Sequence, residues 1–404
     1  MLKSLLMLIL SSVPLMQPAA QNISAYGTVK ANLGLDYYDK DSYLYNSSMG
    51  EYYIDNYMLL TTHTRFSENT GVFAELSADL LIEELISSQS DETEQRIAFE
   101  LHEAFLSVPL TDFLFLTLGK KRIVWGTGLS YNPSDFINPP KDPLYPNEER
   151  RGVYSVLLEL FTEWFSITQA LVLYDDIEYF GYGTKISTSA LVPATDLHII
   201  FYYSENAGIN LGASFDTTPF GDIPVLQNLA LHGEAGFSQI SNRFIYSSGT
   251  GDLIQRAGRS DFYKNFLAGL RYTVPGSDTL VTTEYYYIDD GYLPAEIDNI
   301  IDYGFITEIV YEPGLFCRHN LMISVNQAQL TQHANAFTDT LGLSASLLIN
   351  LMDGSFFATG KIESSVINNC IFTLEGGCFF GDKKTEYGLS PQCFYVAFAV
   401  TGGF

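Results

Sequence analysis

The sequence predicts an all-β fold, a transmembrane antiparallel β-barrel of about 18 strands with a long structured third external loop. Three observations carry that expectation. Apolar and polar or small residues alternate along the chain, its connections alternate between tight and long, and it ends on an aromatic residue in register with an apolar face.

The alternation has the period of a strand, whose successive side chains point to opposite sides. In 25–36, Gly27, Val29, Ala31, Leu33 and Leu35 share one face, and Thr28, Lys30, Asn32 and Asp36 the other. In 71–82, Val72, Ala74, Leu76, Ala78 and Leu80 alternate with Phe73, Glu75, Ser77 and Asp79. The same pattern fills 208–216, 229–238 and 341–349. Runs of about ten residues match a tilted strand crossing a bilayer. Strands are expected at 25–36, 52–66, 71–86, 96–109, 113–125, 154–161, 164–173, 179–190, 197–204, 208–216, 227–239, 262–274, 279–288, 302–311, 316–329, 337–350, 355–367 and 392–404. Stretches 154–173 and 355–391 read weakest and leave sixteen strands as the alternative.

Tight turns are expected at 68–70, 111–112, 275–278, 312–314 and 352–354, and long connections near 37–51, 87–95, 126–153, 240–261, 289–300 and 368–391. Short turns on one side and long loops on the other fit an outer-membrane barrel. An even strand count puts both termini on the short-turn side. The last strand supports closure. Phe394, Val396, Phe398, Val400 and Phe404 make one apolar face, and an aromatic end resembles the insertion signal read by the barrel assembly machinery.

Composition fits. The 404 residues are 47% hydrophobic and only 17% charged, yet past the first 20 no apolar run is long enough for a spanning helix. A closed sheet satisfies every backbone group in hydrocarbon without an edge. The 27 Tyr and 28 Phe suit aromatic girdles at both interfaces with outer-membrane lipids. A net charge of −26 argues against nucleic acid, which requires basic patches. Residues 1–20 read as a secretory signal peptide, with Lys3 before the apolar 5–10 run and a cut before Gln21. The remainder, 21–404, reads as one barrel domain in the cell outer membrane. Among the four Cys, Cys370 and Cys378 flank a Gly-Gly and read equally as a disulfide or as free thiols; Cys317 and Cys393 are likewise unassigned.

The stretch 119–143, GKKRIVWGTGLSYNPSDFINPPKDP, breaks the alternation. Its prolines cannot continue a ladder. Trp125, Tyr131 and Phe136 offer apolar anchors, Gly126 and Gly128 permit a sharp exit, and Asn132-Pro133 and Asn138-Pro139 stiffen the excursion. Asp135 is placed to bond nearby N–H groups or a base such as Arg122 or Arg151, while Lys141 and Arg150 add positive charge. A long anchored loop of this kind is expected to be functional, here as a constriction.

With the apolar faces toward lipid, the opposite faces line a lumen. Its expected carboxylates are Asp36, Asp55, Glu75, Asp79, Glu100, Glu234, Glu284, Asp302, Glu308 and Glu363; its bases are Lys30, Arg65, Arg271 and Lys361. An acidic, hydrated lining favours small polar solutes and cations. Pairing across the wall is the plainer role for any one of these charges. The six His form no metal-protease or nucleophile-elbow motif, so no catalytic residue, metal or cofactor is assigned and no enzyme is expected.

The segment 119–139, G-K-K-R-I-V-W-G-T-G followed by N-P-S-D-F-I-N-P, resembles a signature of uncharacterised porin-like outer-membrane barrels of Gram-negative bacteria; Lys121 stands where those often carry Gln. The resemblance covers this segment and implies the fold and the compartment. In general porins the third external loop folds into the barrel and narrows it, and the position of residues 126–153 is similar. With the acidic lumen, the expectation is a passive channel for small polar or cationic solutes, as a monomer or a homotrimer. A barrel plugged by the same loop and serving surface interaction is the alternative, and a barrel-embedded hydrolase a third reading.

Overall fold

The computed structural model describes residues 23–46, 50–67, 72–87, 94–147, 150–174, 180–224, 226–256, 262–328, 340–367 and 369–404. The leader expected over 1–20 and the turn at 68–70 lie outside them. The strands are β1 (Ile23–Tyr38), β2 (Tyr52–Ser67), β3 (Phe73–Ser87), β4 (Glu94–Thr111), β5 (Leu114–Lys121), β6 (Val153–Phe161), β7 (Ser166–Leu173), β8 (Phe180–Thr188), β9 (Thr195–Ser204), β10 (Gly208–Thr217), β11 (Leu229–Ser238), β12 (Phe244–Ser247), β13 (Asp252–Gln255), β14 (Tyr263–Thr273), β15 (Thr279–Tyr287), β16 (His319–Gln327), β17 (Leu341–Asn350), β18 (Phe356–Ile367), β19 (Cys370–Phe380) and β20 (Gln392–Gly403), with helix α1 at Pro294–Asp302.

Eighteen of these strands form one antiparallel sheet, each pairing with its chain neighbour; β11 pairs with β14, and β12–β13 form a separate hairpin. The sheet closes where β1 pairs with β20, Leu33 opposite Phe398. At the seam, Gly27 and Phe404 exchange backbone hydrogen bonds of 3.2 and 3.0 Å. Among the described residues, every strand of this sheet has a paired neighbour on both sides, which is what a sheet in lipid requires.

Burial is inverted relative to a water-soluble sandwich. In β10 the outward Ile209, Leu211 and Phe215 are exposed, while the inward Asn210 and Ser214 are buried. The outer apolar face needs hydrocarbon around it, and the polar groups gather inside.

The strand number agrees with the sequence, but one strand is exchanged for another. Residues 302–311 are not a strand: they follow α1 as turns, and Ile300, Ile301, Ile306 and Ile309 pack together in one cluster. The alternation there reflects a small loop core. Conversely, β19 occupies part of the expected 368–391 loop. Its Gly376-Gly377, inside that expected connection, lies mid-strand. Gly377 faces the Tyr395 and Phe357 rings, and a Cβ there would sit 2.5 Å from the first. The exchange reverses the ends between. Residues 351–355 join β17 to β18 on the long-loop side, not the short-turn side, and 312–314 belongs to the long β15–β16 connection.

Candidate functional site

The connection 122–152, between β5 and β6, runs inside the barrel. Near its start, Ile123, Trp125 and Ile137 are buried against Leu157 of β6, Ala170 and Val172 of β7, and Ile200 and Tyr202 of β9. Near its end, Leu144 and Tyr145 pack on Met322, Leu348, Phe357 and Tyr395 of β16, β17, β18 and β20. One loop thus covers the wall from β6 round to β20.

Between those anchors two buried wall carboxylates hold the loop backbone. Glu234 of β11 accepts the N–H groups of Thr127 and of Gly128 (2.6 Å) and the Asn132 amide (3.2 Å) on one oxygen; the other accepts the N–H (3.2 Å) and hydroxyl (2.6 Å) of Ser134. Glu284 of β15 accepts the N–H of Leu129 (2.7 Å) and lies 2.6 Å from His232 Nε2 on one oxygen; the other takes the N–H (2.7 Å) and hydroxyl (2.5 Å) of Ser130. A carboxylate has about four acceptor sites and bonds such donors more strongly than a neutral group does. Proline and glycine keep this stretch out of a ladder, so its N–H groups need these partners. Gly126 allows the close approach: a Cβ there would lie 2.0 Å from the Asn132 amide nitrogen.

The loop is also tied to itself. Lys141 Nζ donates to the carbonyls of Gly128 (2.8 Å) and Leu129 (3.1 Å). The Asn138 amide donates to both Asp135 oxygens (3.0 and 2.9 Å), and Arg150 pairs with Asp135 at 3.1 Å. Burial raises the Asp135 carboxyl above the ordinary carboxylate range, opposed by Arg150 and Asn138. Burial lowers the Lys141 ammonium, and neighbouring Arg150 adds to that. Pro133 and Pro139 flank this knot.

The expected lining residues fall into four groups. Arg65 pairs with Glu75 (3.2 Å), His102 with Asp79 (2.8 Å), Arg151 with Glu100, Lys361 with Glu363 (3.0 Å) and Arg271 with Asp216 along the wall. Lys30, Asp36, Asp55 and Lys361 line a cavity of about 490 Å³ left between the loop's end and strands β1, β2 and β16–β20. Glu234 and Glu284 face inward, but the loop seals them from the lumen. Asp302 and Glu308 line nothing: Asp302 ends α1 and pairs with Lys384 at 2.7 Å, and Glu308 is exposed in the following turns.

A second cavity of about 470 Å³, toward the short-turn end, shares Asn326, Ser344 and Lys361 with the first. At the opposite end, several long connections pack into a core of their own. Ile297, Ile300 and Ile301 of α1 meet Tyr292, Phe316, Leu389, Leu44 and the β12–β13 hairpin residues Ile245, Tyr246 and Leu253. Its fastening is Glu386, which no motif in the sequence marks. That carboxylate accepts the N–H groups of Gly314 (2.9 Å), Phe316 (3.0 Å) and Cys317 (3.4 Å) and the amide of Asn350 (2.9 Å). Burial, with the charge of nearby Asp353, pushes its carboxyl up to about 7 despite those N–H groups. All four cysteines are free, Cys317 buried and the other three partly so.

No family model matches the sequence, and no curated protein matches it significantly. Solved structures match along nearly the whole chain. OccK5 (OpdH) of Pseudomonas aeruginosa aligns at a TM-score of 0.55 and 9% identity, covering 95% of this chain and 98% of that one. OccK7 (OpdD) of the same organism gives 0.54 and 13%, covering 95% and 99%. The outer membrane protein OprD from Pseudomonas aeruginosa gives 0.54 and 8%, covering 96% of each. At such identities the likeness is one of fold, and the chain shares the barrel fold of these outer-membrane proteins.

Proposed function

We propose that the chain is a porin-like channel of the Gram-negative outer membrane, passing small polar or cationic solutes passively and narrowed by residues 122–152. One observation carries the reading: a loop pegged by Glu234 and Glu284 packs against the inner wall on both sides of the barrel yet leaves a polar cavity beside it. A loop fixed at many points keeps a defined aperture, because its ordering entropy is already offset by wall contacts. The unsealed lumen carboxylates Asp55, Glu75, Asp79, Glu100 and Glu363 give the passage its acidic bias, and the wall bases temper it.

The test is reversal potential in planar bilayers under a salt gradient. Stepwise openings with cation preference, weakening as salt rises, are expected. Anion preference would assign the narrow point to Lys121, Arg122, Arg150 and Arg151. The packed cluster of outer loops favours a second reading, a plugged barrel serving surface contacts, and a silent bilayer would support it. Assembly by the barrel machinery, and a trimeric state, are further parts of the proposal.

A further inference from the structure

We propose that the cavity beside the inward loop is a binding site for an uncharged polyhydroxy solute of mono- or disaccharide size; this rests on the channel reading above and narrows it. The strand register makes one wall of the cavity. Ser324 of β16 lies opposite Ser346 of β17, and Ser346 opposite Thr359 of β18; in the adjacent inward row, Asn326 lies opposite Ser344. Five short, neutral side chains therefore form a contiguous patch, each able to donate and accept.

Beside this patch stand two aromatic rings, Tyr145 from the loop and Tyr395 from β20. Their centroids are 6.2 Å apart at 50°, and the Tyr395 hydroxyl is 3.3 Å from Thr359 Oγ1. A ring face beside hydroxyl and amide groups suits a molecule with C–H faces and hydroxyl edges. Five charged residues lie on this lining, Lys30, Asp36, Asp55, Lys361 and Glu375, and three of them are engaged within the protein. Lys361 pairs with Glu363 at 3.0 Å, Asp36 accepts from Gln392 at 2.9 Å, and Lys30 lies over the Tyr57 ring at 5.4 Å. Asp55 stands on the same lining, its Oδ1 atom buried without a hydrogen-bond partner. A volume of about 490 Å³ lies in the range of small-molecule sites.

Two measurements on the full-length barrel test this. The first is isothermal titration of maltose onto protein held in a non-sugar detergent, with arginine and glutamate as charged comparators. The second is maltose block of ion current in planar bilayers. Saturable maltose binding and block are expected. The Ser346→Ala/Thr359→Val double variant should weaken the half-saturation roughly ten- to thirtyfold, from two hydrogen bonds of about 1 kcal/mol each. Saturable binding of arginine or glutamate without maltose overturns the proposal, as does a maltose effect that only grows linearly with concentration. A barrel that conducts ions but binds no maltose removes the site and leaves the channel. One that binds maltose but passes no current does the reverse.

Discussion

Glu234 and Ser134 meet twice: one carboxylate oxygen accepts both the Ser134 backbone N–H at 3.2 Å and its hydroxyl at 2.6 Å. A strand side chain thereby fixes the turn that carries the inward loop across the lumen. The same carboxylate's other oxygen holds Thr127 and Gly128, so one residue sets both ends of an eight-residue arc.

Glu234→Ala should therefore free the arc while the barrel persists, because every strand pairing is unaffected. Each N–H left unpaired costs about 1–3 kcal/mol. Trp125, buried at the loop's base, and Trp164, exposed, are the two tryptophans. In a Trp164→Phe background, Trp125 emission should shift red and quench more readily in the Glu234→Ala protein. Unchanged emission would mean that the apolar contacts of Ile123, Trp125 and Ile137 hold the loop without the carboxylate.

Glu386 gives a pH dependence with a definite sign. Its docked carboxyl titrates at about 7, above the ordinary 4.5, so the docked state binds the extra proton. Docking is thus most stable below about 4.5 and loses stability as pH rises to about 7, by an amount of order 3 kcal/mol. Hydrogen exchange at Gly314, Phe316 and Cys317, corrected for intrinsic rates, should quicken over that window. Glu386→Gln should flatten the slope, and an unchanged slope in that variant would assign the titration to another group.

Topology is testable by labelling. In a background with the four cysteines replaced by serine, Leu351→Cys should react with an impermeant reagent on intact cells, because 351–355 lies with the long loops. A cysteine at 248 should also react, and Gly276→Cys should not. Protection of the Leu351→Cys protein would reverse this end of the β17–β18 hairpin.

Phe404→Asp should lower the fraction of barrel that assembles, since the Phe404 ring packs over Gly27 at the seam and a charge would replace it there. Heat-modifiable mobility on gels reads assembly. A normal assembled fraction would make the terminal aromatic ring dispensable.

Much of this architecture was legible because a lipid-facing strand writes its environment as strict alternation, as Ile209 to Phe215 do. Legibility failed where the alternation had another cause. Phe305, Ile309 and Tyr311 fall at period-two positions because they pack on a small loop core, and Gly376-Gly377 interrupts the apolar pattern of an unbroken strand, where Gly377 admits the Tyr395 ring. Each error hid the other in the strand count. The loop was visible from its prolines and tryptophan. Its fastening was not, because Glu234 and Glu284 sit on inward faces like any lumen carboxylate, and only the fold brings residues 127–134 over them.

The most direct measurement is single-channel conductance of the native chain against a deletion of 129–145, each confirmed as assembled by heat-modifiable mobility. Stepwise openings are expected in the native protein, with larger steps and passage of larger neutral solutes after the deletion. Equal conductance and an equal solute cut-off in the two assembled proteins would contradict the claim that this loop sets the aperture.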